Sequence, residues 1–185
     1  MKVNPEKTIQ IYSIGHSNRS FDEFVLLLKE FDICVVADIR RYPGSQRFPH
    51  FNRKELCELL DAKGIGYVWL EALGGRRHNG TNDSSQNTGL KSQGFRNYAD
   101  HMATDEFHAA VEKLLSTAAM SRPAVMCAEK LYWKCHRRFL SDYLVGQGAE
   151  VLHIIEEGKV SAHKMTPGAV ITATAGVIYP LAGCV

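Results

Sequence analysis

Two cysteines and the charged residues around them are the part of this chain best suited to chemistry. Cys135, His136 and Arg137 stand where a loop runs into a helix, and the free amides and positive dipole end of such a terminus favour an anion or a thiolate. A thiol held ionised there would be a nucleophile, with Arg137 holding an anionic group and His136 moving a proton. Cys127 lies eight positions earlier, at the end of a short apolar run, and a strand-loop-helix turn could bring the two sulfurs together. The pair could then cycle through a disulfide, or could ligate a transition metal together with His16, His136 or Glu129. The spacing is not of the CxxC kind that specifies zinc. Taken singly, each cysteine could also be a small buried residue and Arg137 a structural ion-pair partner.

Other polar residues fall at comparable places. His16 and Ser17 follow an apolar run and precede a helix start, a position suited to a general base or a ligand contact. Glu129 follows Cys127 and could transfer protons, while Asp38 is placed to orient Arg40. Between positions 39 and 54 the chain carries Arg40, Arg41, Arg47, Arg53 and Lys54 with no carboxylate, interleaved with Tyr42, Phe48 and Phe51. Arginines that contact phosphates beside rings that stack on bases suit a nucleotide or nucleic acid; a solvated loop with its aromatics packed beneath is the plainer alternative. Gly74 and Gly75, ahead of Arg76 and Arg77, would let the backbone approach a ligand closely. The substrate-binding candidates are therefore Arg40, Arg41, Arg137, Ser17, Gly74, Gly75 and Tyr42.

Positioning these groups requires a regular scaffold, and the pattern supplies one. Residues 9–14, 33–39, 65–70, 124–127 and 151–155 are short apolar runs that read as strands, the second nearly continuous as expected for a strand buried on both faces. Helices alternate with them. Ser20 with Glu23 makes a capping box, Asn52 with Glu55 opens a second helix closed by Gly64, Thr104 with Asp105 and Glu106 opens a third, and residues 135–145 form a fourth that ends at Gly146. Strands alternating with helices predict an α/β fold: a mostly parallel sheet with helices on both faces, in one three-layer domain over residues 1–168. An apolar tail, 169–185, follows. In such sheets ligands bind outside the carboxyl ends of the strands, where every motif above falls. Residues 74–94, with Asn79, Asn82, Asp83 and Asn87, read as a long polar loop, of the kind that either serves as a lid or is disordered.

The ordered set Gly15-His16-Ser17, Asp38-Ile39-Arg40 with Pro43 and Ser45, Leu73-Gly74-Gly75, Gly94-Phe95 with Tyr98, Cys127-Ala128-Glu129 and Cys135-His136-Arg137 resembles the family called domain of unknown function 488. The resemblance runs over about residues 9–163 and takes in His153 and His163. It implies a family without an assigned activity.

Composition narrows the partners. Apolar residues make up 45% and charged residues 23%, a globular balance, and a net charge of +2 is too small by itself to argue for nucleic acid or membrane. Five cysteines, an odd number without scaffold spacing, suggest reduced thiols in a cytosolic protein. Residues 1–10 lack the apolar core of a secretory signal, and the apolar tail is broken by Gly176, Pro180 and Gly183, so no membrane association is expected. The leading expectation is a cysteine- or metal-dependent hydrolase or transferase acting on an anionic, phosphate-bearing small molecule or nucleic acid. A non-catalytic nucleic-acid-binding module and a metal or thiol redox protein are the alternatives.

Overall fold

A computed structural model describes residues 8–77 and 84–181. Asn79, Asn82 and Asp83 of the polar loop, and Cys184, lie outside the described residues.

The elements run β1 (Gln10–Gly15), α1 (Phe21–Glu30), β2 (Val35–Asp38), α2 (Arg53–Asp61), β3 (Gly66–Trp69), α3 (Gln93–His101), α4 (Asp105–Met120), β4 (Pro123–Cys127), α5 (Arg137–Gly146), β5 (Glu150–Glu156), β6 (Lys159–Ala162), β7 (Val170–Ile171) and β8 (Val177–Ile178). Five parallel strands and an antiparallel edge strand form one sheet in the order β3-β2-β4-β1-β5-β6, and β7 and β8 make a separate small hairpin.

Alternation along the strands sorts the core into two layers. Tyr12, Ile14, Val36, Ala124, Met126 and Ile154 face α1 and α2 with Phe24, Leu28, Leu56 and Leu60. Their neighbours Ile11, Ala37, Val125, Cys127 and Val151 face α3, α4 and α5 with Tyr98, Phe107, Leu114, Phe139 and Leu144. The fold is therefore the expected α/β sandwich of helices on both faces of a mostly parallel sheet. The tail joins it: Val177 and Tyr179 are buried in the second layer.

Helix starts follow the sequence signals in two of three cases. Ser20 and Glu23 close a reciprocal capping box, and the Thr104 hydroxyl accepts from the Phe107 amide. Asn52 does occupy the cap position of α2, but its side-chain oxygen accepts instead from the Ser45 amide at 2.6 Å, fixing the preceding basic loop rather than the helix. α3 was not expected from the sequence, which shows a glycine at its second position and mostly polar residues. It forms because Tyr98, Ala99 and Met102 just beyond its end are covered by the core. Among the described residues no helix is long and apolar enough to cross a membrane.

Candidate active site at the strand ends

The strand order creates the site. From β1 the chain leaves to α1 on one face of the sheet; from the adjacent β4 it leaves to α5 on the other. Loops diverge between these two strand ends, which opens the crevice where ligands sit in open parallel sheets. The pairing of β1 with β4 continues past the strands, with the His16 amide donating to the Cys127 carbonyl and the Ser17 amide to the Ala128 carbonyl, both at 2.9 Å. A cleft of about 970 Å³ lies there, and His16, Ser17, Arg40, Arg41, Tyr42, Gly75, Cys127, Glu129, Cys135 and His136 all line it.

Its thiol centre is compact. Cys127 Sγ and Cys135 Sγ are 3.4 Å apart as free thiols, and Arg137 Nε donates to Cys135 Sγ at 3.4 Å. Cys135 sits just outside α5, at the end of a 3-10 turn over Tyr132–Lys134, with its amide donating back to Tyr132. Donation from Cys127 holds the Cys135 thiol down at about 6; burial opposes this, while the Arg137 charge, amide and side chain assist. Burial pushes Cys127 well above the usual thiol range, and its donation to Cys135 reinforces this. At neutral pH one sulfur is thus anionic and the other carries the proton.

Arg137 does not reach the substrate space. It is only 1% exposed and does not line the cleft; its other nitrogens donate to Ser13 Oγ at 3.0 Å, to the Lys130 carbonyl at 3.1 Å and to the Glu129 carbonyl. The expected clamp on an anionic ligand is instead a clamp on the thiolate and on the loop after β4. Ser13, which no local signal singles out, is its partner inside the sheet.

A second arm crosses from β2. Arg40 binds both Asp38 oxygens, Nε at 2.9 and 3.2 Å and a terminal nitrogen at 2.6 Å, and donates to the Phe51 carbonyl at 2.7 Å. Tyr67 donates its hydroxyl to the same carboxylate at 2.7 Å. Asp38 therefore orients Arg40, as its position suggested. The remaining Arg40 nitrogen approaches His16 Nε2 at 3.3 Å, while His16 Nδ1 lies 3.0 Å from the Ser17 carbonyl. That arrangement fits a neutral ring with its proton on Nδ1. Burial first and then Arg40 hold His16 at about 4, so it is neutral at physiological pH. Phe51 is fully buried and stacked on His16 at 4.2 Å, so it cannot stack on a base; Tyr42 is 64% exposed beside Arg41 and can.

Gly74 and Gly75 are close-packed against protein where a side chain would stand, although Gly75 still borders the cleft. A Cβ on Gly74 would come 2.8 Å from the Arg41 amide nitrogen, and one on Gly75 would come 2.9 Å from the His136 ring; Gly74 does not line the cleft. Gly15 is tighter still, with the Glu129 carbonyl oxygen 1.9 Å from where a Cβ would stand. His136 is held at about 3, chiefly by burial and then by Arg137, and its Nε2 is buried without a partner among the described residues. Ser17 and Arg76, both on the cleft wall, adopt left-handed backbone at φ 53° and 57°, a conformation uncommon outside glycine.

Charge at the mouth is mostly positive. Arg41 bonds Glu71 and the Arg76 carbonyl, and Lys130 pairs with Glu156, but Arg47, Arg76 and Lys134 also line the cleft. Lys134 was legible only as the residue before Cys135. Arg77 is buried on Gly74 and Glu71 and does not extend this rim. Glu129 lines the cleft too, its carboxylate accepting a long 3.5 Å bond from the Leu131 amide, and pairs with neither Arg40 nor Arg137. The expected metal set does not assemble: among the described residues no three His, Cys, Asp or Glu side chains come together to hold an ion, and His16 is turned to Arg40 and Phe51 rather than to the sulfurs.

A closed cluster adjoins this site. Asp142 of α5 accepts from His163 at 2.8 Å, the Thr166 amide at 2.8 Å and the Tyr179 hydroxyl at 2.7 Å; His163 Nδ1 meets His153 Nε2 at 2.9 Å, and Tyr132 stacks on His153 at 3.4 Å. Only the two histidines of this cluster carry a signal in the sequence, through the family pattern; Asp142, Thr166 and Tyr179 come from segments whose approach no local spacing encodes.

Fold and site together define an open α/β domain with a dithiol at the switch point of its sheet. The chain belongs to the family described as a domain of unknown function, DUF488, whose model matches residues 20–144. Neither a curated protein nor a solved structure matches it.

Proposed function

We propose that this protein is an enzyme that uses Cys135 as a nucleophile on an anionic, phosphate-bearing substrate of nucleotide type. The observation that carries the reading is Cys135 on the wall of the cleft with its sulfur 3.4 Å from both Cys127 Sγ and Arg137 Nε. A thiolate so held attacks the electrophilic centre, a bond to sulfur forms, and the bond to the leaving oxygen breaks. Water then displaces the sulfur, its proton passing to Glu129 and on to the departed group, and the thiolate is restored. Glu129 suits this better than His16, whose Nε2 faces Arg40. Arg41, Arg47, Arg76 and Lys134 hold the anion, and Tyr42 offers a face to a base. The same rim supports nucleic-acid binding without turnover less well, because of the loop's three aromatics Phe51 is sealed under His16.

The pH dependence of Cys135 alkylation by iodoacetamide tests the reading. The rate is expected to titrate with a midpoint near 6, where the thiol is held, rather than near the ordinary value of 9. A midpoint above about 8, the range of an unperturbed thiol, overturns it.

A further inference from the structure

We infer that Cys127 and Cys135 together carry out thiol–disulfide exchange, with small disulfides that bear carboxylates as the substrate class. This rests on the reading of Cys135 as a reactive thiolate and adds a second activity to the same sulfur. Three features of the geometry point to it. The sulfurs lie 3.4 Å apart without being bonded, so they need close by only a little over an ångström to reach a disulfide length of about 2.05 Å. Their exposure is unequal: both border the cleft, but Cys127, at the end of β4, is 3% exposed whereas Cys135 is half-buried. An incoming disulfide therefore meets Cys135 more readily, and Cys127 is left to act on what Cys135 has captured. Finally, the approach is rimmed by Arg47, Arg76 and Lys134, which attract carboxylates and leave neutral disulfides unassisted.

The electrons balance with the disulfide as oxidant. Cys135 thiolate attacks one sulfur of the incoming disulfide, a mixed disulfide forms, and the first thiolate leaves. Cys127 then gives up its proton and attacks Cys135 Sγ; the Cys127–Cys135 bond forms and the second thiolate leaves, taking that proton. The protein is oxidised by two electrons and the disulfide is reduced to two thiols. The ease of the second step follows from the pairing itself, since the sulfur that resolves is the one already hydrogen-bonded to the sulfur it attacks.

Oxidised glutathione, which carries carboxylates, and neutral hydroxyethyl disulfide serve as probes on the reduced full chain without oxygen, with peptide mapping to set aside the exposed Cys34 and Cys57. The wild type is expected to form a Cys127–Cys135 crosslink and release two glutathiones, without accumulating an adduct on Cys135. Cys127→Ser, which keeps a donor to Cys135, and Cys127→Ala, which guards against a folding defect in the first, are both expected to stop at that adduct. Oxidised glutathione is expected to react about tenfold faster than the neutral probe at low salt, an advantage that salt erases. A stable Cys135 adduct in the wild type, with iodoacetamide alkylation still titrating near 6, overturns the exchange and leaves the nucleophile standing. Equal rates with the two probes overturn the carboxylate class. Slow alkylation of Cys135 with an ordinary midpoint overturns both readings.

Discussion

α5 anchors two polar clusters of opposite character. At its first residue, Arg137 gathers Cys135, Ser13 and the loop after β4 beside an open cleft. In its second turn, Asp142 gathers His163, Thr166 and Tyr179, and the Asp142, His163 and Tyr179 side chains are sealed. Both clusters contain groups able to do chemistry. The open one faces a cleft that can admit a ligand, with an anionic sulfur on its wall. In the closed one the carboxylate is saturated by three donors, and its work is to tie α5, the segment after β6 and the tail into one body. Tyr132, stacked on His153, links the closed cluster to the turn that presents Cys135. Residue type alone therefore does not separate an active site from a structural network; access does.

The comparison breaks most readily at Asp142. Replacing it by alanine leaves three donors, the buried His163 among them, without their acceptor, and urea unfolding is expected to show a loss of roughly 3–5 kcal/mol. A loss under about 1 kcal/mol, the scale of an ordinary surface change, would deny the closed cluster its scaffold role.

Acid provides the next largest effect. His16 at about 4, His136 at about 3 and His153 at about 2, each lowered first by burial, stay neutral in the folded chain where the unfolded chain, near 6.5, takes up protons. A base whose pKa is depressed by folding contributes its full stability above the unfolded value and loses it progressively as pH falls toward the folded one. Stability is thus expected to decline from pH 6.5 down to about 4.5, above the range where carboxylates titrate. Unfolding curves across that window should steepen in their pH dependence with each buried histidine, and His153→Gln should reduce the slope. A flat profile would mean that these rings are charged when folded.

The rim gives the smallest effect. Lys134→Ala and Arg76→Ala are expected to shift stability by no more than about 0.5 kcal/mol, since neither is buried. They should lower the reactivity of Cys135 toward anionic iodoacetate relative to neutral iodoacetamide by about threefold at low salt. An unchanged ratio would remove these residues from ligand attraction.

Local signals made the scaffold legible in the sequence. The central parallel strands are apolar runs because their two faces are covered, the edge strand β3 only in part, and the Ser20–Glu23 box is written within four consecutive residues. Direction did the rest: parallel strands bring their carboxyl ends to one edge, so His16, Arg40, Cys127 and Cys135 could be grouped before any contact was known. What stayed hidden depends on distant partners. The turn of Arg137 toward the sheet is decided by Ser13, more than a hundred positions away, and the packing of Gly75 by His136. α3 was hidden for the same reason, its apolar residues being few until the core covers them.

Backbone packing behind the cleft lining constrains how this domain can diversify. Where Gly15 abuts the Glu129 carbonyl, and Gly74 the main chain at Arg41, polypeptide backbone meets polypeptide backbone with no room for even a methyl group. Side-chain replacement at these two glycines has nowhere to go. A shift in preference among ligands must come from the side chains that line the crevice, carried like an interchangeable collar on a fixed frame of main chain.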